Sequence, residues 1–194
     1  VYIAVIICLG LIGCGKDNGQ APQVTASMLT ADGWTDFEAG LIEEAMADFE
    51  QALAKDAAYG EAYNGIAWCY LRTDLLEQAL ANFDEAIATG VTHADPHAGK
   101  AIIYRDLEPV DFNLAIEWAS EALFIDPGYV FEHDNTLDWH DLRLILAHCF
   151  IALKDYGKAK VQVDFLNAAN TLDPQSATFV DDLIAEVERL GTIY

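Results

Sequence analysis

The chain has 194 residues, 53% of them hydrophobic, which is enough for one domain with a continuous core. Its 32 acidic residues against 10 basic ones give a formal net charge of -22, so its field repels nucleic-acid phosphates and anionic lipid headgroups. Nucleic acid is therefore excluded as an expected partner, and the acidity reads either as a solvating surface or as the complement of a basic partner.

Val1 to Gly13 is an almost unbroken apolar run, followed by Cys14 and then by polar Gly15-Lys16-Asp17-Asn18. At about 1.5 Å per residue such a run reaches roughly 20 Å, short of the ~30 Å hydrocarbon layer, so it reads as a signal-peptide core and not as a spanning helix. The exit Leu11-Ile12-Gly13-Cys14 resembles the lipobox of bacterial lipoproteins. That resemblance implies cleavage of residues 1–13, lipidation of Cys14, and anchoring in a bacterial envelope. Gly15 in place of Asp implies outer-membrane sorting, at the periplasmic or surface face, in a diderm. No Met or basic segment precedes Val1, so the sequence reads as lacking its first residues. The competing expectation is an apolar helix that is retained and packed on something. Residues 14–25 then read as a lipidated cysteine with a flexible tether, polar, Gly- and Pro-bearing and without period, and residues 26–194 as the folded domain.

Beyond the tether, Gly33, Ala45, Phe49 and Ala52 have counterparts 34 residues later in Ala67, Ala79, Phe83 and Ala86. Within Glu61 to Ala88, Tyr63, Ile66, Ala67 and Tyr70 share one face of a first helix. Ala79, Phe83 and Ala86 share one face of a second, with Thr73-Asp74 as the turn and Gly40 marking the same turn one repeat earlier. Small residues at the crossing let two helices approach, while Phe and Tyr fill the space between hairpins. This order, aromatic-x2-large-small-x2-aromatic followed by Ala-x3-Phe-x2-Ala, resembles the tetratricopeptide repeat. The resemblance implies an all-α, right-handed solenoid of helix hairpins whose first helices line a concave, partner-binding surface.

A third, looser unit follows. Asp95 reads as a helix N-cap with Pro96 in the first turn, and Ala101 and Tyr104 keep the 34-residue spacing. Ala115, Ala119 and Ala122 stand 36 residues after their counterparts, so the turn Leu107-Glu108-Pro109-Val110 carries two extra residues. Asp126-Pro127 closes the unit, and Gly128 to Asp138 forms an insertion of about ten residues, a size that in compact domains is often functional. In the fourth hairpin Ala147, Phe150 and Ala159 hold the pattern, while Val163 and Leu166 replace the Phe and last Ala, and its second helix is expected to run to about Asn170. After Asp173-Pro174 a helix from Ser176 to about Leu190 places Phe179, Leu183, Ile184 and Val187 on one face, a cap for an open solenoid end. The expectation is thus about four hairpins plus a C-terminal capping helix.

Motifs for catalysis are missing from the sequence: no Gly-rich phosphate loop, no nucleophile elbow and no Cys-x2-Cys occurs. An enzyme, a cofactor and a small-molecule substrate are not expected. His93 and His97 flank Asp95, but Pro96 sets them across a helix start, so they read as a loop and a first-turn histidine, not metal ligands. Glu132-His133-Asp134-Asn135 and Trp139-His140-Asp141 gather acids, histidines and an aromatic around the insertion. They admit a structural, a cation-holding or a partner-contacting reading. The ladder and Gly of a calcium loop are missing, and Asp138 with Asp141 fits an N-cap and first-turn acid. Cys69 and Cys149 fall in hairpins that are not sequence neighbours and read as buried free thiols.

Trp34 and Trp68 each directly follow the small packing residue of a first helix, an offset of about 100° from the crossing contact. By the tetratricopeptide resemblance both belong on the concave surface with Phe37, Asn64, Leu71, Arg72, Arg105 and His148. Such a set suits a peptide groove, in which Arg clamps a carboxylate and Asn bonds a main-chain amide. The other reading is that the Trp pair only packs hairpin one on hairpin two. Trp68→Ala is expected to weaken partner capture while leaving most of the helical content if the first holds, and to cost about 3 kcal/mol or more of unfolding stability if the second does. The expected role is an envelope adaptor that binds a protein or peptide partner while a lipid anchors it. The alternative is a structural subunit of a self-assembling or multi-protein membrane complex that uses a retained apolar N-terminus.

Overall fold

A computed structural model describes residues 23–194, so the signal, lipidation and most of the tether expectations, Cys14 included, lie outside the described residues. Among those residues the chain forms four helix hairpins in sequence. They are α1 (Ala26–Glu38) with α2 (Ile42–Lys55), α3 (Gly60–Arg72) with α4 (Leu76–Ala88), α5 (Asp95–Asp106) with α6 (Phe112–Ile125), and α7 (Trp139–Ala152) with α8 (Tyr156–Leu166). A ninth helix, α9 (Phe179–Leu190), follows alone. Each first helix packs on its own partner, on the preceding second helix and on the first helix of the next hairpin, so α1, α3, α5, α7 and α9 form one continuous row. Among the described residues a single antiparallel bridge, Val130 to Asp138, is the extended pairing seen. No helix among them is long and apolar enough to cross a membrane.

The hairpin turns follow from local chemistry. Gly40, Asp74 and Lys154 adopt φ of 77°, 61° and 59°, the left-handed conformation that ends a helix. The next N–H then reaches back to the last turn: Leu41 to Asp36 O at 2.9 Å, Leu75 to Tyr70 O at 2.9 Å, Asp155 to Phe150 O at 2.8 Å. The third hairpin departs here, because α5 ends on Leu107 in an extended conformation before its longer turn. Helix starts are capped by Thr25, Asp111 and Asp155, and Asp138 with Asp141 forms the reciprocal capping box at α7.

Between hairpins the packing is a matter of size. A side chain on Gly33 or Gly65 would come within 3.0 Å of the Phe49 ring, and one on Gly99 would strike Phe83. Both rings are fully buried, each set against a helix backbone with no Cβ in the way. Ala45, Ala52, Ala79, Ala86, Ala115, Ala119, Ala122 and Ala159 are fully buried at the crossings, as their spacing predicts. Cys69 and Cys149 are buried and free, their thiols pushed up by burial to about 12 and about 11. On α9, Leu183, Val187 and Leu190 are buried against α8 and α7, so this helix takes the place of a fifth first helix and closes the row.

Three boundaries differ from the sequence reading. Helix α5 includes Asp95, with Ala94 at the N-cap, because the Asp95 carboxylate is turned to His93 at 3.3 Å. Helix α8 stops at Leu166: the Asn170 side chain bonds Asn167 O at 2.7 Å and Asp164 Oδ1 at 2.8 Å, offering a turn in place of helix. The last helix begins at Phe179 instead of Ser176, since Ser176 and Thr178 use their hydroxyls in a preceding turn.

Candidate partner-binding face

The first-helix row carries the residues that the repeat does not need for its own crossings. On α1 and α3 the positions 34 apart are Thr30 with Asn64 and Trp34 with Trp68, each aromatic one helical turn after the polar residue. The rings pack edge to face on the hairpin cores, Trp34 to Phe49 at 5.1 Å and Trp68 to Phe83 at 5.5 Å.

The insertion after α6 returns across this face. Tyr129 and Phe131 are buried, and Phe131 stacks on Trp68 at 4.0 Å with 21° between planes. The His133 ring lies flat on Trp34 at 3.8 Å and 5°, its Nδ1 2.8 Å from Glu38 Oε1. Asp134 meets Arg72 at 3.1 Å, and Arg72 also lies over Phe37 at 5.1 Å. The segment is held in shape by Phe131 N donating to Leu137 O at 2.9 Å, Trp139 N to Tyr129 O at 2.8 Å, and Asp134 N to Phe131 O at 3.2 Å. The Thr136 hydroxyl donates to Asp134 Oδ1 at 2.7 Å, and this bond, with Arg72, holds the Asp134 carboxyl below the usual carboxylate range despite desolvation. We call residues 129–138 the strap.

Among the predicted groove residues, Trp34, Phe37, Asn64 and Trp68 are buried, Leu71 is half-buried and Arg72 is exposed. The strap brings Trp34, Phe37, Trp68 and Arg72 together. Arg105 and His148 lie apart from them, both exposed. Arg105 spends its guanidinium on Asp106, at 2.6 and 2.8 Å, which raises its pKa. In this state the aromatic part of the face is occupied by the chain's own segment. Sequence reasoning missed Phe131 and Tyr129 as components of the face. Their signal is two aromatics inside an insertion, where no hairpin needs them.

Four polar atoms of this face are buried without a hydrogen-bond partner: both Asn64 side-chain atoms, Trp68 Nε1 and Thr30 Oγ1. Asn64 is 0% exposed. Buried amides that make no hydrogen bond are uncommon and costly. Against the strap lies a cavity of about 520 Å³ bordered by Glu61, Asp95, Asp126 and Glu132, an acidic hollow that also takes in His93 and His133. Burial alone lowers a histidine's pKa, but hydrogen bonds to Asp95 and Glu61 raise that of His93 to about 10. His97, the other half of the spaced pair, is buried against Trp118 at 5.5 Å. No group of three or more His, Cys, Asp or Glu among the described residues is arranged to hold a metal ion.

A row of helix hairpins with an aromatic and amide-bearing first-helix face defines an all-α repeat scaffold. The fold is that of tetratricopeptide repeat proteins, and residues 36–103 match the sequence profile of the Tetratricopeptide repeat family. YrrB, a tetratricopeptide repeat protein with an unusual peptide-binding site, superposes with a TM-score of 0.65 at 15% identity, over 87% of either chain. MamA does so with 0.58 at 17% identity, over 87% of this chain and 81% of its own. TTC0263, a thermophilic tetratricopeptide repeat protein in Thermus thermophilus, gives 0.57 at 17%, over 87% and 89%. At these identities the likeness is one of fold. No curated protein matches the chain by sequence.

Proposed function

We infer that this chain is an exported, membrane-tethered scaffold that holds a segment of another cell-envelope protein on its first-helix face. The observation that carries this reading is the pair Thr30 and Asn64, repeat-equivalent polar residues that are buried and unpartnered beside two tryptophans. An amide and a hydroxyl so placed suit the main chain of a bound segment, and the rings suit its side chains. The peptide-binding site of YrrB, on a shared fold, adds support. Tethering rests on Leu11-Ile12-Gly13-Cys14, and with a lipid at Cys14 the scaffold meets partners at high local concentration.

Two measurements test the reading. Mass spectrometry of the native N-terminus is expected to find an acylated cysteine, and an intact apolar segment would point instead to a structural subunit of a membrane complex. A photo-crosslinker at position 71, next to the Arg72 that meets the strap, is expected to capture an envelope protein that one at position 124 on α6 does not. Capture from position 124 alone would move the binding surface off the first-helix face.

A further inference from the structure

The strap is more than a cover. It reaches across 95 residues of sequence to Glu38 and back over two hairpins to Arg72, and it places a side chain of matched chemistry at each station. The Phe131 ring lies parallel to Trp68, the His133 ring lies parallel to Trp34 with a nitrogen on Glu38, and the Asp134 carboxylate meets Arg72. Phe131 to Asp134 is a tight turn, so aromatic and acid project from one side of a compact element. Aromatic anchors beside a charge-matched pair are what a binding partner's hot spot consists of.

Yet the match is incomplete. The strap gives no hydrogen bond to the Asn64 amide, to the Trp68 indole N–H or to the Thr30 hydroxyl. Each such group, buried without a partner, opposes the closed state. The strap's outer residues, Glu132, Asn135 and Thr136, are exposed, and its contacts with α1 and α3 are ring faces, the Asp134–Arg72 ion pair and a hydrogen-bond contact from His133 to half-exposed Glu38.

Resting on the scaffold reading above, we propose that the strap is an internal ligand. The face it fills binds, in competition with it, a partner segment that presents an aromatic side chain and, three residues later, an acid on a turn. The strap thereby serves as the template for the partner's chemistry. The aromatic replaces Phe131 on Trp68, the acid replaces Asp134 on Arg72, and the partner's remaining polar groups supply the bonds that the strap leaves unmade. Because the strap is tethered, it competes at a high effective concentration, and the apparent affinity for a partner is lowered by the fraction of time the face is open.

The test uses the full chain and a synthetic peptide of residues 128–138, closed end to end to keep its turn. Fluorescence titration is expected to show the peptide binding the Phe131→Ala chain at least about tenfold more tightly than the unaltered chain, whose face is occupied. Replacing the peptide's own Phe or its Asp134-equivalent acid by Ala should remove about tenfold or more of that affinity. Should Phe131→Ala not fold cooperatively, His133→Ala with Asp134→Ala removes only the polar anchors and is read in the same way. Equal and weak binding to the unaltered and the folded altered chain would overturn the proposal and make the strap a structural element. Strap-peptide binding that survives while crosslinks to an envelope protein arise only from α6 would instead sink the scaffold reading and leave the internal ligand standing.

Discussion

The first two hairpins and the last two fill equivalent gaps with residues of opposite size. Between hairpins one and two the second helix offers Phe49 and the following first helix offers Gly65, and between two and three the pair is Phe83 and Gly99. Between three and four the same register positions hold Ala119 and Ile145, both buried. The large side chain has moved from the second helix to the first. The outward faces differ in the same sense. Trp34 and Trp68, at one register position of α1 and α3, are buried under the strap, whereas the counterpart on α7 is His148, exposed. A repeat therefore keeps the filled volume at each crossing but not the residue that supplies it, and its aromatic first-helix face is built where the regular pattern is kept most strictly.

The largest expected effect breaks that comparison at its outer face. Trp68 is 4% exposed and lies between Phe83 and Phe131. Trp68→Ala should cost about 3–5 kcal/mol by urea unfolding, the range for a core aromatic, while His148→Ala should stay within about 0.5 kcal/mol. A small loss for Trp68→Ala would mean that the ring's burial under the strap contributes little to the fold. Next in size is the crossing itself. Gly65→Ala drives a methyl into a ring already fixed between two hairpins and should cost roughly 1–3 kcal/mol. Ile145→Val at the equivalent place of the fourth hairpin removes one methylene and should cost about 0.5–1.5 kcal/mol. Were Gly65→Ala neutral, Phe49 would have room to move and the size exchange would not be what sets hairpin spacing.

Much of the fold was legible because small and aromatic residues 34 apart report a crossing directly: Ala67, Ala79, Phe83 and Ala86 are buried where their spacing puts them. The candidate face was legible only in part. Trp34, Trp68 and Arg72 were identified by what the crossings leave over, and the structure joins them. Their cover was not, because a strap contact such as His133 to Glu38 depends on where two distant segments meet, and no period links them. Periodicity also had no means of placing Phe131, an aromatic outside every helix. For the Trp pair, neither the groove nor the pure-packing reading contained what the structure adds, a segment of the same chain lying on the rings that also pack on Phe49 and Phe83. Arg105 was placed on this face with Arg72 by the tetratricopeptide resemblance, but Asp106 at its side takes up its hydrogen-bonding edge, a neighbour effect that the resemblance does not carry.

The smallest expected effect lies at the border of the two halves, where His93 between hairpins two and three is held by Glu61 at 2.6 Å and Asp95 at 3.3 Å. Burial opposes the charge, but these two carboxylates outweigh it and raise the pKa from 6.5 to about 10. A histidine whose folded pKa lies above its unfolded value stabilises the fold fully below about pH 6.5, and the contribution is lost as the pH rises through about 10. The side chain is 41% exposed, so solvent screens the pair and the gain is modest. His93→Gln should therefore lower the urea midpoint slightly at pH 6, with the gap to the unaltered chain closing steadily towards pH 10. A gap that is constant across that range would show that His93 acts through its shape and not its charge. In that case the acidic hollow beside the strap holds its carboxylates together without an internal cation. Its net charge would then be more negative, and a basic group on the partner would add affinity there beyond what the strap's pattern of aromatic and acid provides.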